Sequence, residues 1–324
     1  MTHDAYRSLS DAAVAAIAKE YFDQRAPRSS PQEQPRAVLV GGQPGAGKSA
    51  AGIVVRDELK SLGGFIHVDA DRMREEIPIG RSNPTSSETQ ADAGRLVSAL
   101  RLMAIEGRRN IVEEGTFRDP QAARRFVDRL HELGYKVELV AVATHQEESL
   151  LGIYQRHERQ HERGNPNPRF VTKEYHDAAM RGFDASVNQL ARQLDRLRVI
   201  NRGGELLYDS QRQTHEEASQ ALQDARNIPA ARLALLADGW AAVAAAARER
   251  GASPVYLDAI GEHARRLGAR AQPQKSDKGA NATPYARGKE QALARGAGPA
   301  GPAIGPSAAP QVLQGPGKTP ARGR

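Results

Sequence analysis

The 324-residue sequence contains no cysteine, which excludes a disulfide framework and any zinc site that depends on thiolates. It also lacks a run of roughly 18–20 apolar residues, the length that a membrane-spanning helix needs. Residues 1–23 mix acidic and basic side chains with apolar ones, a pattern unlike a secretory signal. The sequence therefore predicts a cytoplasmic protein with no membrane span.

A single basic block with interleaved aromatic residues is also missing, although the net charge is +7. Acidic and basic residues alternate through most of the chain, and the segment after Glu290 has basic residues but no acidic one. A basic excess of this kind is typical of solvated surface and of arginines that bind small anions. Nucleic-acid binding is therefore disfavoured. A nucleotide-regulated protein that binds nucleic acid through its basic tail stays as an alternative.

Aromatic residues make up only 5% of the chain, which indicates that part of the sequence buries no core. The clearest such part is 270–324, which is rich in glycine, proline and alanine and has few large apolar groups. Segments of this composition bury too little surface to offset chain entropy. We predict a disordered basic tail there, preceded over 213–269 by an alanine-rich helical extension with a break near 251–254.

The rest of the chain alternates between short apolar runs and segments of helical periodicity. The apolar runs predict strands at 37–42, 65–71, 110–116 and 135–144, and a further strand pair at 199–210. The helical segments lie at 49–62, 87–107, 119–133, 146–163 and 172–198. This alternation predicts an α/β, three-layer fold with a mainly parallel central sheet and helices on both faces. We assign this domain to 35–212, after an N-terminal helix and linker at 1–34.

The first predicted strand leads directly into a glycine-rich loop, GGQPGAGKS, at residues 41–49. Its last eight residues satisfy the pattern G-x-x-x-x-G-K-[ST], and a predicted helix follows. Glycines let backbone N–H groups turn toward phosphate oxygens, and a helix N-terminus favours the same anion. We predict a P-loop in which Lys48 bridges the β- and γ-phosphates of ATP and Ser49 ligates Mg²⁺. The predicted ATP-binding residues are Gly42, Gln43, Pro44, Gly45, Ala46, Gly47, Lys48 and Ser49.

Polar side chains also follow the second and third predicted strands. Asp69 and Asp71 are expected on one side of the second strand, where a carboxylate accepts a proton from an attacking hydroxyl or holds Mg²⁺ through water. The alternative is that one of them caps the next helix. Glu114, Thr116 and Arg118 end the third strand and suit a polyhydroxylated or anionic acceptor, with capping again as the alternative.

The segment 150–177 carries arginines that could close over a triphosphate. Small kinases use such side chains because guanidinium groups neutralise charge on the phosphoryl group in transfer. Spacing alone leaves open which of them act, and solvated surface is the alternative for each. The candidates are Arg156, Arg159, Arg163 and Arg169.

Together these stretches resemble the zeta toxin family, the kinase component of epsilon/zeta toxin–antitoxin systems. They follow the family's order between about residues 35 and 210. The resemblance implies a P-loop kinase that uses ATP and Mg²⁺ to phosphorylate the 3′-hydroxyl of UDP-N-acetylglucosamine and so blocks peptidoglycan synthesis. It also implies an epsilon-like antitoxin as partner. The matching pieces are GGQPGAGKS, VDADRMREEIP, IVEEGTFR, SLLGIYQRHE, NPRFVTKEYHD and VINRGGELLYD.

The resemblance also implies roles for individual residues. Asp71 matches the family's catalytic base, and Lys48 and Ser49 match its triphosphate and Mg²⁺ residues. Arg156 and Arg169 match its two phosphate-stabilising arginines, in preference to Arg159 and Arg163. The positions that match its sugar-nucleotide contacts are Glu114, Thr116 and Arg118.

One position departs from the family pattern. The family often places an acidic substrate contact in the helix before the third strand, and here that position falls near Val97. The acceptor is therefore open, and a kinase of another UDP-sugar, a nucleoside or an antibiotic stays as an alternative.

Overall fold

The computed structural model describes residues 5–78, 84–165 and 168–271. Its strands are β1 (Arg36–Gly41), β2 (Ile66–Asp69), β3 (Ile111–Gly115), β4 (Lys136–Ala143), β5 (Arg196–Asn201) and β6 (Leu206–Asp209). Its α-helices are α1 (Asp11–Arg25), α2 (Lys48–Ser61), α3 (Ala70–Glu75), α4 (Gln90–Glu106), α5 (Pro120–Glu132), α6 (Gln146–Glu162), α7 (Lys173–Leu190), α8 (His215–Asp224), α9 (Ala230–Glu249) and α10 (Pro254–Ala271). None of the helices in these ranges is both long and apolar enough to cross a membrane.

The strands form one six-stranded sheet in the order β2-β3-β1-β4-β5-β6. The first five strands in that order run parallel, and β6 pairs antiparallel with β5. The predicted α/β fold with a mainly parallel sheet is therefore confirmed. The carboxyl ends of the parallel strands meet at one edge, where ligands bind in folds of this kind.

Alternating side chains of β1 divide the protein into layers. Ala37 and Leu39 enter a large core with helices α1, α4, α5, α7 and α8. Val38 and Val40 point to the other face and pack with apolar residues of α2. Because both faces of the strand are covered, β1 is apolar along nearly its whole length. The helix that carries the P-loop lysine is thus anchored directly on the central strand.

A further apolar cluster joins α6 to α9 and α10. Leu150, Ile153 and Tyr154 of α6 pack with Trp240 of α9 and Ile260 of α10. Helix α9 ends at Glu249 and helix α10 begins at Pro254, so the helical structure is interrupted close to the expected break near 251–254. The predicted disordered tail, 270–324, lies outside the described residues beyond Ala271, as does the basic segment on which the nucleic-acid alternative depends.

Two element boundaries differ from the sequence-based expectation. The helix predicted over 172–198 ends at Leu190, and residues 196–201 form β5. There Leu197 and Val199 enter the large core, while Arg198 on the other side pairs with Glu58 at 2.8 Å and also with Glu138. A charged residue beside a helical segment suggests an exposed helical position, whereas these two ion pairs allow Arg198 to lie buried in a strand. The second boundary concerns β2, which ends at Asp69, and α3 begins immediately.

Candidate active site

The P-loop connects β1 to α2 and approaches α6 closely. Gly45 and Gly47 have φ values of 76° and 96°, in the left-handed region that favours glycine. A Cβ atom on Gly45 would lie 2.0 Å from the backbone oxygen of Ser149. Glycine is therefore required at position 45 by both the turn and the close approach.

Lys48 is the first residue of α2, and its side chain folds back over the loop. Its Nζ donates to the backbone oxygens of Gly42 at 3.0 Å and Gln43 at 3.2 Å. Burial lowers the pKa of Lys48 to about 8, although the nearby Glu114 carboxylate acts in the opposite direction. A buried ammonium group gains from an additional anion, so this position fits a bound phosphate.

Side chains from neighbouring elements hold the P-loop from behind. Gln43 Nε2 donates to the backbone oxygen of Thr144 at 2.8 Å, and Thr144 Oγ1 donates to the backbone oxygen of Ala46 at 2.8 Å. Arg202, between β5 and β6, donates from Nη1 to the backbone oxygen of Gly45 at 2.8 Å. The loop is thus fixed by contacts within the chain itself, which preorganises it for a ligand.

The two aspartates after β2 have different surroundings. Asp69 caps α3, because its Oδ1 accepts from the Asp71 backbone N–H at 2.8 Å. Asp71 lies in the first turn of α3, so the expectation that both project from one side of a strand is wrong; the chain turns into a helix at Ala70. Asp71 accepts from Arg74 at 2.7 Å and from Arg169. Burial favours a neutral Asp71, but the two arginines outweigh it and lower the pKa of this carboxyl.

Glu114 connects the end of β3 to the P-loop helix. Its Oε2 accepts from Ser49 Oγ at 3.1 Å, and its Oε1 lies 3.1 Å from His67 Nε2 on β2. Burial alone would raise the pKa of Glu114, but the His67 contact and the Ser49 hydrogen bond lower it. The oxygen predicted to ligate Mg²⁺ therefore already lies beside a charged carboxylate, which fits a divalent cation.

The segment after β3 is held in a strained turn against α7. Phe117 has a φ of 41°, and its backbone oxygen accepts from Ser186 Oγ at 2.6 Å. A Cβ on Gly182 would lie 2.0 Å from the Arg118 oxygen, so α7 needs glycine at this contact. The Arg118 guanidinium lies over the Tyr175 ring, 4.5 Å from its centroid. The turn thus separates Thr116 from Arg118.

Two of the four candidate arginines on 150–177 approach from α6. Arg156 is partly buried, and the buried atoms Nε and Nη2 of its guanidinium have no hydrogen-bond partner among the described residues. Burial and then the positive charge of Arg169 lower the pKa of Arg156. Buried guanidinium N–H groups without acceptors indicate room for an anion, since such donors are costly to leave unpaired. A phosphate between Lys48 and Arg156 would satisfy that requirement.

These side chains surround one cavity of 450 Å³ at the carboxyl edge of the sheet. The structure brings together all of the predicted catalytic residues there, along with Ser49, Glu114 and Thr116. It places Arg118 and Arg163 outside the lining. The lining also includes residues that the sequence reasoning did not select, namely Arg159, Gln90, Tyr175 and Arg202. The family resemblance favours Arg156 and Arg169 over Arg159, and it implies no role for Arg202, which lies in the VINRGGELLYD stretch.

Helix α4 does not place an acidic side chain in this cavity. Val97 packs against the large core. The buried carboxylate of α4, Asp92, accepts instead from Tyr6 Oη at 2.6 Å, Ser8 Oγ at 2.8 Å and the Leu9 backbone N–H at 2.9 Å. Its role is therefore to fasten the N-terminal segment to α4.

Comparison with known proteins identifies the family. The toxin PezT of Streptococcus pneumoniae serotype 4 is 28% identical over 202 residues, which cover 59% of this chain and 78% of PezT. Toxin zeta of Enterococcus hirae is 26% identical over 187 residues, which cover 55% of this chain and 64% of that toxin. A structure from the PezAT chromosomal toxin–antitoxin system of S. pneumoniae matches the fold with a TM-score of 0.60 at 20% identity. That match covers 83% of this chain and 100% of the other.

The family model described as Zeta toxin matches residues 19–213. This range contains the P-loop, Asp71, the end of β3 and the arginines of α6. It is more than half of the 324 residues, and the chain belongs to the zeta toxin family.

Proposed function

We propose that the protein is an ATP-dependent kinase that phosphorylates the 3′-hydroxyl of UDP-N-acetylglucosamine. The observation that carries this proposal is the shared cavity of Asp71, Lys48, Arg156 and Arg169. A carboxylate that accepts a hydroxyl proton and cations that neutralise a transferring phosphoryl group are the groups such a kinase needs. Both substrates of this reaction are nucleotides, which supports a cytoplasmic location.

On the donor side, the P-loop binds the triphosphate of ATP. Lys48 contacts the β- and γ-phosphates, and Ser49 Oγ holds Mg²⁺. When bound, Mg²⁺ neutralises phosphate charge and orients the γ-phosphoryl group. Arg156 supplies the N–H groups of Nε and Nη2, two nitrogens that lack partners among the described residues. Arg169 is the second arginine on the phosphoryl group.

On the acceptor side, Glu114 and Thr116 contact the sugar nucleotide from the end of β3. Arg118 lies outside the cavity lining and supports this side through the Tyr175 ring, which lines the cavity. Asp71 orients the hydroxyl and takes its proton. The acceptor oxygen then bonds to the γ-phosphorus, and the bond from that phosphorus to the bridging oxygen breaks, which releases ADP.

The test is a product assay on the purified full chain with ATP, Mg²⁺ and UDP-N-acetylglucosamine. Mass spectrometry should show one added phosphate, and NMR should locate it on the 3′-hydroxyl of the sugar. Asp71→Asn and Lys48→Ala should lower turnover by about 10²–10⁴-fold. Asp23→Asn is the matched control, because Asp23 is an exposed residue of α1 paired with Lys19.

The absence of phosphorylated UDP-N-acetylglucosamine, with an active P-loop shown by ATP binding, would reject this acceptor. A kinase of another small hydroxyl compound is the second candidate, because Val97 packs in the core where the family often has an acidic substrate contact. A panel of other UDP-sugars, nucleosides and aminoglycosides tests it in the same assay.

We also propose an antitoxin as protein partner. The support is the PezAT structure, which comes from a toxin–antitoxin system. Co-expression with proteins encoded beside this chain, followed by co-purification, tests the partner. The expected result is that co-expression of that protein restores the growth of a host in which this chain is toxic.

A further inference from the structure

His67 is a polar residue in an apolar row of the sheet. Parallel pairing aligns His67 of β2 with Val112 of β3, and Val112 with Val38 of β1. The two valines pack in the apolar layer beneath α2. The His67 side chain is only 10% exposed. A valine would continue the row, so the imidazole needs a reason beyond packing.

The next row toward the carboxyl edge contains two carboxylates. Asp69 and Glu114 are aligned partners on β2 and β3, and their side chains project to the same face as His67. One nitrogen of His67 and one oxygen from each carboxylate all lie within 4.8 Å of one another. The Glu114 side chain is only 6% exposed, and Asp69 and Glu114 both line the cavity, from which an ion could reach the group.

Each carboxylate has one oxygen available for this cluster. Asp69 uses Oδ1 to cap α3, which leaves Oδ2. Glu114 uses Oε2 to accept from Ser49 and directs Oε1 to His67. Burial and the charges of Glu114 and Asp71 raise the pKa of Asp69. The carboxylates thus repel one another, and a cation between them would relieve that repulsion.

We propose that His67, Asp69 and Glu114 form a binding site for a first-row transition-metal dication, such as Mn²⁺ or Zn²⁺, that discriminates against Mg²⁺. Imidazole is a good ligand for these ions, whereas Mg²⁺ takes oxygen ligands and retains its waters. Metal–ligand bonds of about 2.1 Å place opposite ligands about 4.2 Å apart. The three ligand atoms lie within 4.8 Å of one another, so the widest pair needs to approach by about 0.6 Å at most to reach that spacing.

This site adjoins the proposed Mg²⁺ position at Ser49, because Glu114 accepts from Ser49 Oγ with Oε2 and would offer Oε1 to the ion. Its ligands come from β2 and β3, and none of them belongs to the P-loop. The ion would bind in the absence of nucleotide, so the inference does not depend on the kinase acceptor. The positive charge of Arg56 acts on Glu114 and would oppose the binding of a cation there. The Arg56 guanidinium also donates a hydrogen bond to the Ser49 backbone oxygen, at 2.9 Å.

The test is a titration of the nucleotide-free full chain with Mn²⁺. Binding is measured as the loss of the electron paramagnetic resonance signal of free Mn²⁺. One Mn²⁺ should bind per chain, Zn²⁺ should displace it, and equimolar Mg²⁺ should not. His67→Val, which continues the valine row, should weaken Mn²⁺ binding by about tenfold or more. The matched control is His131→Asn, since His131 also pairs with a carboxylate, Asp195, at 2.9 Å.

Circular dichroism and thermal unfolding confirm that each variant is folded. Binding that is equal in wild type and His67→Val would overturn the proposal, as would equal competition by Mg²⁺. Failure of the wild-type chain to bind Mn²⁺ would overturn it too. A separate ATP-binding measurement distinguishes these outcomes from failure of the proposed kinase function.

Discussion

Arg169 donates a hydrogen bond from Nη1 to Oδ1 of Asp71, 98 residues earlier in the sequence. Arg74 donates to the same oxygen at 2.7 Å. The proposed base is therefore paired with one of the two arginines that we propose bind the phosphoryl group. A γ-phosphate would compete for Arg169, and the pKa of Asp71 would rise once this partner leaves. ATP binding would then prepare the carboxylate to accept a proton.

Removal of Arg169 should change the pH dependence of the reaction. The arginines lower the pKa of Asp71, so the unprotonated base persists to low pH in the wild type. In Arg169→Ala this pKa rises, and the acidic limb of kcat/KM for ATP should move to higher pH. Turnover should also fall by about 10³-fold. Initial rates between about pH 4 and 8 measure both effects. Arg163 lies outside the cavity lining, so Arg163→Ala should leave the acidic limb of kcat/KM at the wild-type pH.

Lys48 should lower the stability of the nucleotide-free protein. Its pKa is about 8 in the fold, against a usual 10.5, so the unfolded chain binds more protons between those values and stability rises with pH there. Lys48→Met should remove that rise and stabilise the empty protein at pH 7 by up to about 3 kcal/mol. Urea unfolding measures this, with the exposed Lys60→Met as control. MgATP should raise the free energy of unfolding of the wild type and leave that of Lys48→Met unchanged. An empty Lys48→Met protein that is less stable than the empty wild type at pH 7 would contradict this prediction.

Asp92 should secure the N-terminal segment in a pH-dependent way. Burial opposes its charge, but bonds from Tyr6, Leu9, Ser8 and Arg95 lower the pKa of Asp92 to about 2. Its contribution is thus complete above the usual pKa of 3.8 and is lost as the pH falls toward 2. Asp92→Asn should lower the free energy of unfolding by about 2–4 kcal/mol at pH 7.

The same substitution should matter less in acid. Urea unfolding of wild type and Asp92→Asn should converge as the pH falls from 3.8 to 2. Asp23→Asn, at an exposed aspartate of α1, should behave as wild type at every pH. A constant difference between wild type and Asp92→Asn across this range would show that the carboxylate charge is not the source.

Trp240 should position the arginine-bearing helix α6. Its fully buried indole stacks on His263, with ring centroids 4.4 Å apart, and makes a T-shaped contact with Tyr154 of α6. Trp240→Ala should cost about 3–5 kcal/mol of the free energy of unfolding. Below the unfolding temperature, kcat should fall more than KM rises, because Arg156 on α6 is held less firmly. Leu235→Ala, at an exposed residue of α9, is the control, and equal kinetics in both variants would reject the link.

Local chemistry made the donor side of the site predictable from sequence. The spacing of glycines, Lys48 and Ser49 after an apolar strand determines the P-loop, and the structure has a strand and a helix on either side of it. The same reasoning failed at Asp69 and Asp71, because a helix begins one residue after Asp69. Either aspartate could have been the cap, and only the backbone geometry distinguishes them.

The rest of the site depends on contacts between distant segments, which residue spacing does not reveal. Arg118 follows Thr116 by two residues, yet the positive φ of Phe117 directs it to Tyr175. Arg159 is one turn after Arg156 on α6, so both reach the cavity, while Arg163 does not. Arg202 lies far along the chain and meets the P-loop through the order of strands in the sheet.

The carboxylates of α6 that pair with arginines from residue 230 onward limit where this protein can be truncated. Glu147, Glu148 and Glu158 are all buried, and their arginine partners are Arg266, Arg232 and Arg250, respectively. All three partners follow Gln213, the last residue of the family match. A fragment that stops there would keep the P-loop but leave three acidic groups without counterions beside exposed apolar surface. The boundary of sequence similarity is therefore a poor boundary for expression, and a soluble catalytic fragment should extend through α10.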